Sequence, residues 1–359
     1  MSSSFPSPAS APADDWQFTR RVFLVLGVVA GALAAYKLSY VLVLVFTSLL
    51  VAVLLNTITE LLQRWLRLPR AVAVALAVLA FAGVLGGFGV LFAQQLYAQI
   101  RDVVELLPQA VAELGQRFGF DWEFSKDNLH EIAARLSTGT TFNRALGYGS
   151  VFASVLTDVL IVLVGAVFLV SNPGMYRRGA ALLLPARSRL RFLRALRDAG
   201  NALRLWLLGQ GTVMLSVGLM MWGAYTWLGL PSAVTLALIA ALADFVPFLG
   251  PIVGAIPALV IAATIDTQTL LWTLGAVVVV QQIESYVLMP FVQRRAVKLP
   301  PFVGLFAIVV FGTLFGIMGI VLAVPMAVAT MTLVQRLWVR DVLGTRITVV
   351  GSKKKDAPK

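Results

Sequence analysis

Apolar segments long enough to cross a lipid bilayer are the feature that most constrains the fold of this chain. Of its 359 residues, 59% are hydrophobic and only 13% are charged. A water-soluble fold has too little interior for so much apolar surface, whereas a spanning helix needs about 20 consecutive apolar residues. The sequence therefore predicts an all-α, polytopic helical membrane protein with eight hydrophobic segments.

The order of apolar, polar and charged segments predicts a series of regions along the chain. These are a disordered cytoplasmic tail (1–18), N-terminal membrane helices (19–96) that include an interfacial helix (56–70), an extracytoplasmic helical cap (97–150), a membrane helix followed by a basic cytoplasmic amphipathic helix (151–208), a transport core (209–340) and a basic cytoplasmic tail (341–359). Within the N-terminal region the expected spans are 21–36, 40–55 and 71–96.

The basic amphipathic helix carries eight arginines and a single acid, Asp198, within residues 171–208. Apolar residues share one side of its helical wheel, and arginines share another. Guanidinium groups on such a helix are typical partners of anionic lipid phosphates. We therefore expect the side chains of Arg191, Arg194, Arg197 and Arg204 to face lipid on the cytoplasmic surface.

Two long apolar stretches contain residues that break helices. The first runs from Ala243 to Ala258 and holds one carboxylate, Asp244. Proline lacks a backbone donor and clashes with the preceding turn, so clustered prolines and glycines predict a break at membrane depth. The predicted break and hinge residues are Pro247, Gly250, Pro251, Gly254 and Pro257 in the first stretch, and Gly316, Gly319 and Pro325 in the second.

The distribution of basic residues favours one membrane topology for these two stretches. If residues 232–264 and 300–335 each enter the membrane and return on the same side, both termini and every basic loop lie in the cytoplasm, as the positive-inside rule requires. This gives about six full spans and two re-entrant hairpins. It also gives an inverted repeat in which a span and a hairpin occur twice, over 209–264 and 269–335. The alternative is a single kinked span for each stretch.

With these features in view, the sequence resembles the autoinducer-2 exporter (PerM-like) family of bacterial permeases over about residues 20–340. The resemblance implies an inner-membrane permease linked to export of a quorum-sensing signal or to sodium/proton exchange. Ser285 stands where members usually have asparagine. The residues that carry the resemblance are Asp198-Ala199-Gly200-Asn201 to Gly209-Gln210, Val246-Pro247-Phe248-Leu249-Gly250-Pro251 with Gly254, Gln282-Ile283-Glu284, Pro290, and Gly316-Ile317-Met318-Gly319 to Val324-Pro325.

Two acids within apolar segments are the candidate transport site. Asp244 precedes the first break, and Glu284 lies in the sixth span with Gln281 one turn earlier. Ionisable residues inside a membrane are costly and often mark ion or proton pathways. We expect these acids to lie at different depths of one cavity and to bind a coupling Na⁺ or H⁺. The alternative is a purely structural pairing of each acid with an arginine or with backbone donors. No other cofactor and no metal is expected.

The leading hypothesis is secondary active transport of a small solute, such as an autoinducer-2-like signal, by alternating access. The alternatives are a monovalent cation/proton antiporter and, from another class, a non-transporting membrane scaffold. An enzyme is not expected, because the chain has no Walker A loop, no cysteine and only one histidine, His130.

The net charge of +12 is read as the basic excess of cytoplasmic loops rather than as a nucleic-acid surface. The expected location is the bacterial inner membrane. Small residues in the first span (Gly27, Gly31, Ala34 and Ala35) suggest a packing surface, and we expect a homo-oligomer with a pentamer as the working assumption.

Overall fold

The computed structural model describes residues 37–84, 141–293 and 299–345, with the single positions 23, 26 and 86; within it, residues 141–155 and 292–293 are described by their backbone alone. Several expectations lie outside the described residues: the tail 1–18, the first span with its small residues, most of the cap with His130, the basic loop after residue 293 and the end of the C-terminal tail. The described part of the chain is helical and contains no strand.

The helices of the described part follow one another with short connections. Helix α8 continues through a π-helical turn, Glu284–Leu288, to Gln293, and α10 continues into a second π-helical turn, Gln335–Arg340. The helices are α1 (Ser39–Leu66), α2 (Arg70–Val84), α3 (Thr141–Ser171), α4 (Pro173–Leu182), α5 (Ala186–Trp227), α6 (Ala233–Ala243), α7 (Gly250–Ile265), α8 (Thr267–Ile283), α9 (Pro301–Val321) and α10 (Ala323–Val334).

Four helices in the described residues are long and apolar enough to cross a membrane, namely α1, α5, α8 and α9, and the bent pair of α3 and α4 brings the number of candidate spans to as many as five. The prediction of an all-α polytopic membrane protein is therefore confirmed. The expected total of six full spans includes 21–36 and the second half of 71–96, which fall outside the described residues.

Three predicted boundaries are wrong because helices run through them. Helix α1 continues without a break from the expected span 40–55 into the expected interfacial helix 56–70, and ends where Arg67 adopts a left-handed conformation. Helix α5 is continuous over 42 residues, so position 208/209 lies within a helix. Helix α3 begins at Thr141, inside the expected cap. Neither a proline nor a change of backbone conformation interrupts α1 or α5, and isolated glycines do not end a helix.

Helices α1 and α3 run parallel to each other and form a frame. The Tyr40 hydroxyl near the start of α1 donates to Asp158 in the middle of α3, and farther along both helices Gly165 packs so closely on Ser48 that a Cβ there would lie 2.8 Å from the serine Oγ. At their far end Arg70 donates to the carbonyl of Val170 at 3.2 Å. We call this far end, where α1 and α3 finish and α5 begins, the basic end of the molecule.

Residues 233–265 form a helical hairpin. A Cβ on Gly254 would lie 2.8 Å from the Cα of Ala240, and one on Gly250 would lie 2.1 Å from the carbonyl oxygen of Ala243. Such contacts require α6 and α7 to lie side by side and antiparallel, with the turn at residues 244–249. A single kinked helix would separate these residues, so the kinked-span alternative is wrong here.

The second apolar stretch is also a hairpin, although α9 has the length of a span. Gly316 has a positive φ of 64°, which only glycine adopts at little cost, and the chain reverses there. Gly319 then packs against the backbone of Phe311, where a Cβ would lie 1.9 Å from the carbonyl oxygen. Farther from the turn, Ala307 shares a buried cluster with Ala323 and Ala327, so α10 returns along α9.

The element order therefore repeats, since α5 precedes the hairpin α6–α7 and α8 precedes the hairpin α9–α10. Trp227, at the end of α5, packs edge-on against Trp272, near the start of α8, with ring centroids 6.3 Å apart. Because the end of one helix meets the start of the other, α5 and α8 run in opposite directions. We call this end, remote from the basic end, the tryptophan end.

Candidate functional site

The tip of the first hairpin is a short segment, residues 244–249, that joins α6 to α7. Its Phe248 adopts a left-handed conformation with φ of 71°, which is costly for a bulky side chain. Strained backbone of this kind tends to persist where the surrounding structure holds it for a functional reason. Pro247 lies in this segment, as predicted for a break.

The other predicted break residues play different parts. Gly250 and Pro251 begin α7, where proline is tolerated because the first turn lacks backbone partners. Gly254 and Pro257 lie inside α7, which is not broken at either position, and Pro325 lies in the first turn of α10. Gly316 is a true break, whereas Gly319 permits close packing. The prediction of breaks at Gly254, Pro257 and Pro325 is therefore wrong.

Asp244 ends α6 and is almost completely buried, with 2% of its surface exposed. Its carboxylate atom Oδ2 has no hydrogen-bond partner among the described residues. Its main-chain carbonyl, by contrast, accepts a hydrogen bond of 2.7 Å from Nε2 of Gln210 on α5. A hydrogen bond thus holds the backbone of Asp244 in place, whereas no described residue donates a hydrogen bond to Oδ2 of its carboxylate.

Helix α5 holds the hairpin tip at two positions one turn apart. Trp206 packs edge-on against Phe245, with ring centroids 5.7 Å apart, and Gln210 makes the hydrogen bond to Asp244. The 206/210 spacing places both side chains on one face of α5. Sequence reasoning did not select Gln210 as a site residue; a lone amide within an apolar span is the signal that would have found it.

Glu284 begins the π-helical turn of α8 and is 6% exposed. Nε2 of Gln281, three residues earlier, donates to its Oε2 at 2.8 Å. π-Helical turns inside α-helices are rare and frequently lie at functional sites. The predicted association of Gln281 with Glu284 is therefore present in the structure.

The structure places Asp244 and Glu284 beside one buried cluster, which contains Ala240 and Val280, one helical turn before each acid. The charge of Glu284 also acts on Asp244. Measured from the Trp227–Trp272 contact, Gln210 lies 17 residues along α5, about 25 Å, and Glu284 lies 12 residues along α8, about 18 Å. The expected difference in depth between the two acids stays a prediction.

The second hairpin meets the first at this site. Phe248 lies against Gly304 near the start of α9, where a Cβ on the glycine would be 3.3 Å from the phenylalanine ring. Phe245 packs against a buried cluster that includes Val324 of α10 and the partly buried Phe311 and Phe315 of α9. Both broken segments thus contribute to one region around Asp244.

The arginines of α5 differ from one another in their surroundings. Arg191, Arg194 and Arg197 are exposed, and their contact with lipid stays a prediction. Arg204 is half-buried and pairs with Glu60 of α1, so its prediction as a lipid-facing residue is wrong. The pair exists because α1 extends through the expected interfacial segment and carries Glu60 to the side of α5.

The one acid of the basic segment, Asp198, is buried and lies 3.3 Å from Nη1 of Arg336 in the last turn of the fold. Their side chains are 9% and 3% exposed, respectively. Sequence reasoning missed this pair, although a single acid among eight arginines is a recognisable signal.

Chemically, the site offers two carboxylates and two amides in an apolar surrounding. Within the described residues no group of three or more His, Cys, Asp or Glu side chains comes together as a metal site would require. A pair of buried carboxylates instead suits a proton, a monovalent cation or the donor groups of a polar solute.

Broken helical hairpins that converge on buried acids inside an all-α membrane fold define a membrane transport protein of the permease class. The comparison with known sequences gives the family: the profile of the AI-2E family transporter matches residues 22–338. The chain belongs to the AI-2E family of transporters. A family of transporters agrees with the expectation that the chain is not an enzyme.

Relatives share about a quarter of their residues with this chain. The putative transport protein YueF of Bacillus subtilis (strain 168) is 25% identical over 286 residues, covering 75% of this chain and 77% of that protein. YrrI of the same organism, also named a putative transport protein, is 26% identical over 297 residues, covering 78% and 83%. The AI-2 transport protein TqsA of Escherichia coli (strain K12) is 22% identical over 321 residues, covering 86% and 90%.

Proposed function

We propose that this chain is a secondary active transporter that exports a small polar solute of the autoinducer-2 type by alternating access. Its two hairpins act as gates, and Asp244 and Glu284 carry the coupling ion. Support for the solute comes from the name of the relative TqsA, whose similarity extends over most of both chains.

The observation that carries the mechanism is the buried carboxylate of Asp244, one oxygen of which lacks a donor, beside Glu284. A buried ionised carboxylate is strongly unfavourable without a partner. Binding of H⁺ or Na⁺ removes this penalty, and release of the ion restores it. Because the acid sits where α6 ends and the hairpin turns, loading and unloading bias the position of the hairpin.

The proposed location is the bacterial inner membrane with both termini and the basic end in the cytoplasm. This orientation follows the positive-inside rule, since Arg64, Arg67 and Arg70 gather where α1 ends. On the same grounds the tryptophan end faces the outside. We also propose that the protein works as a homo-oligomer, a state that mass photometry in nanodiscs tests directly.

The experiment is ion-driven flux in proteoliposomes. The wild-type chain, Asp244→Asn and Glu284→Gln are reconstituted at equal protein density. Transport of autoinducer-2 is followed under an imposed proton gradient and, separately, under a sodium gradient, with entrapped pyranine reporting internal pH. We expect gradient-dependent transport by the wild type and at least a tenfold loss in each variant, because the amide keeps the shape of the acid and removes its charge.

Asp158→Asn is the matched control, because it deletes a carboxylate in the middle of α3, where it contacts Tyr40 of α1 rather than a hairpin. It should transport at the wild-type rate. Proton-for-sodium exchange without autoinducer-2 movement would assign the chain to cation/proton antiport instead. Absence of any gradient-dependent flux in the wild type would favour a scaffold role. Wild-type rates in both acid variants would reject the assignment of the carboxylates.

A further inference from the structure

Helix α4 turns sharply away from the membrane-crossing part of the chain. A single residue, Asn172, separates it from α3, and the two helix axes differ by 91°. The end of α3 lies at the same depth as the end of α1, because Arg70, just after α1, donates a hydrogen bond to the carbonyl of Val170. Since α3 runs alongside the spanning helix α1, a helix perpendicular to it at this level lies parallel to the membrane plane.

The depth at which α1 and α3 end and α4 begins has the features of a membrane–water boundary. Helix α1 ends there, and Trp65 in its last turn is 83% exposed. Tryptophan is enriched at the headgroup layer, where one end of its side chain is apolar and the other is wet. Helix α4 therefore starts at the depth at which lipid headgroups are expected.

One face of α4 is apolar and uncovered. Met175 and Leu182 lie seven residues apart, on the same side of the helix, and Leu183 follows at its end. These side chains are 65%, 63% and 88% exposed. The buried Ala181 lies about 120° around the helix from Met175, so the exposed apolar face is not the face that packs on the rest of the described protein.

Two cations accompany this apolar face. Arg177 lies on the side of α4 opposite Met175, and Arg178 lies on its flank; both are exposed. No acid lies within α4 to neutralise them. Apolar side chains on one face and arginines beside or opposite them are the pattern of a helix that rests in the interface of an anionic bilayer.

We propose that α4 lies in the inner-leaflet headgroup layer, with Met175, Leu182 and Leu183 among the upper acyl carbons and Arg177 and Arg178 on lipid phosphates. The partner is a bilayer surface that contains anionic lipid. This adds a lipid-binding element on α4 to the one that the sequence predicts on the basic half of α5. The proposal does not depend on which solute the protein carries.

The first test measures the depth of single side chains in the full-length protein. The natural chain has no cysteine, so Met175→Cys, Leu183→Cys and Arg177→Cys each accept one nitroxide label without background. Each variant is reconstituted into phosphatidylcholine vesicles that contain phosphatidylglycerol. Power-saturation measurements then compare the accessibility of each label to oxygen and to a water-soluble nickel chelate.

We expect labels at 175 and 183 to be accessible to oxygen and shielded from nickel, at a depth of about 5–10 Å, as for other interfacial helices. The label at 177, on the same helix, should show the reverse and serves as the internal control. Nickel accessibility at 175 and 183 equal to that at 177 would place α4 in water and overturn the proposal.

The second test addresses the anionic lipid. Arg177→Gln/Arg178→Gln is combined with the label at 183 and compared in vesicles with and without phosphatidylglycerol. We expect phosphatidylglycerol to deepen the label in the background that keeps both arginines, and this deepening to disappear in the double variant. Lys37→Gln, an exposed cation before the start of α1, should leave the deepening unchanged. An equal depth in both lipids with both arginines present would contradict the role of anionic lipid.

Discussion

Two buried aspartates in this molecule have opposite surroundings. Asp198 is 6% exposed and faces the guanidinium of Arg336 at 3.3 Å. Asp244 is 2% exposed and makes no ion pair with any described residue. Because both carboxylates are buried, they differ in the partner that the fold provides. Asp198 joins two helical elements through its ion pair, whereas Asp244 has no such partner among the described residues.

The presence or absence of an ion pair distinguishes a buried acid with a structural role from one with a proposed functional role. Arg336 follows α10, so its pairing with Asp198 joins the end of the second hairpin to α5. At Asp244, by contrast, Gln210 donates a hydrogen bond to the main-chain carbonyl, and no described residue donates one to Oδ2 of the side chain. Asp198 faces a guanidinium, whereas Asp244 makes no ion pair among the described residues, and this difference supports the proposed binding role of Asp244.

The largest expected effect is on stability, in Asp198→Asn. The amide has the size of the acid but leaves the guanidinium of Arg336 buried without a counter-charge. Breaking a buried ion pair from one side typically costs about 3–5 kcal/mol. We expect a clear drop in the melting temperature of the purified protein in detergent, followed by intrinsic tryptophan fluorescence. An unchanged melting temperature would show that the pair does not hold α5 and α10 together.

A double variant separates loss of the pair from loss of packing. In Asp198→Leu/Arg336→Met both charges are replaced by apolar side chains, and such replacements are often neutral or stabilising. The double variant should therefore melt close to the wild type and well above Asp198→Asn. Melting as low as the single variant would mean that the local packing, rather than an uncompensated charge, is responsible.

Properties that follow from local sequence could be predicted for this chain. The length of the apolar stretches gave the helical membrane fold. The prolines and glycines, together with the basic loops, gave the two hairpins. Gln281 and Glu284 were placed together because a separation of three residues on a helix puts side chains on one face. Each of these conclusions uses the periodicity or chemistry of neighbouring residues.

The features that could not be predicted depend on distant residues. The partner of Asp198 is 138 positions later in the chain, and no periodicity links the two. The role of Pro257 was mistaken because proline within a membrane helix is tolerated where neighbouring groups satisfy the freed carbonyl. Helix continuity through residue 208 was missed because a change in composition need not end a helix.

A smaller effect is expected at Gln210, which supports the backbone of Asp244. In Gln210→Leu the hydrogen bond to the Asp244 carbonyl is lost, and a buried acceptor loses its donor. The expected destabilisation is about 1–3 kcal/mol, less than for Asp198→Asn because no charge is left uncompensated. Melting curves measure it, with Gln268→Leu, an exposed glutamine at the start of α8, as the control. Equal melting of the two variants would show that this contact does not hold the hairpin tip.

The smallest effect on stability is expected at the acid that matters most for transport. Asp244→Asn removes the charge of a buried carboxylate, one oxygen of which accepts no hydrogen bond from the described residues. It also removes the repulsion between Asp244 and Glu284 that exists when both acids are ionised. The new amide is buried as well, which offsets part of the gain. The net change should therefore stay within about 1 kcal/mol of the wild type, with the same melting method and at the same pH as for Asp198→Asn. A loss as large as that of Asp198→Asn would mean that the carboxylate has a structural partner after all. Near-wild-type melting together with lost ion-driven flux is the combination that a structural acid does not produce.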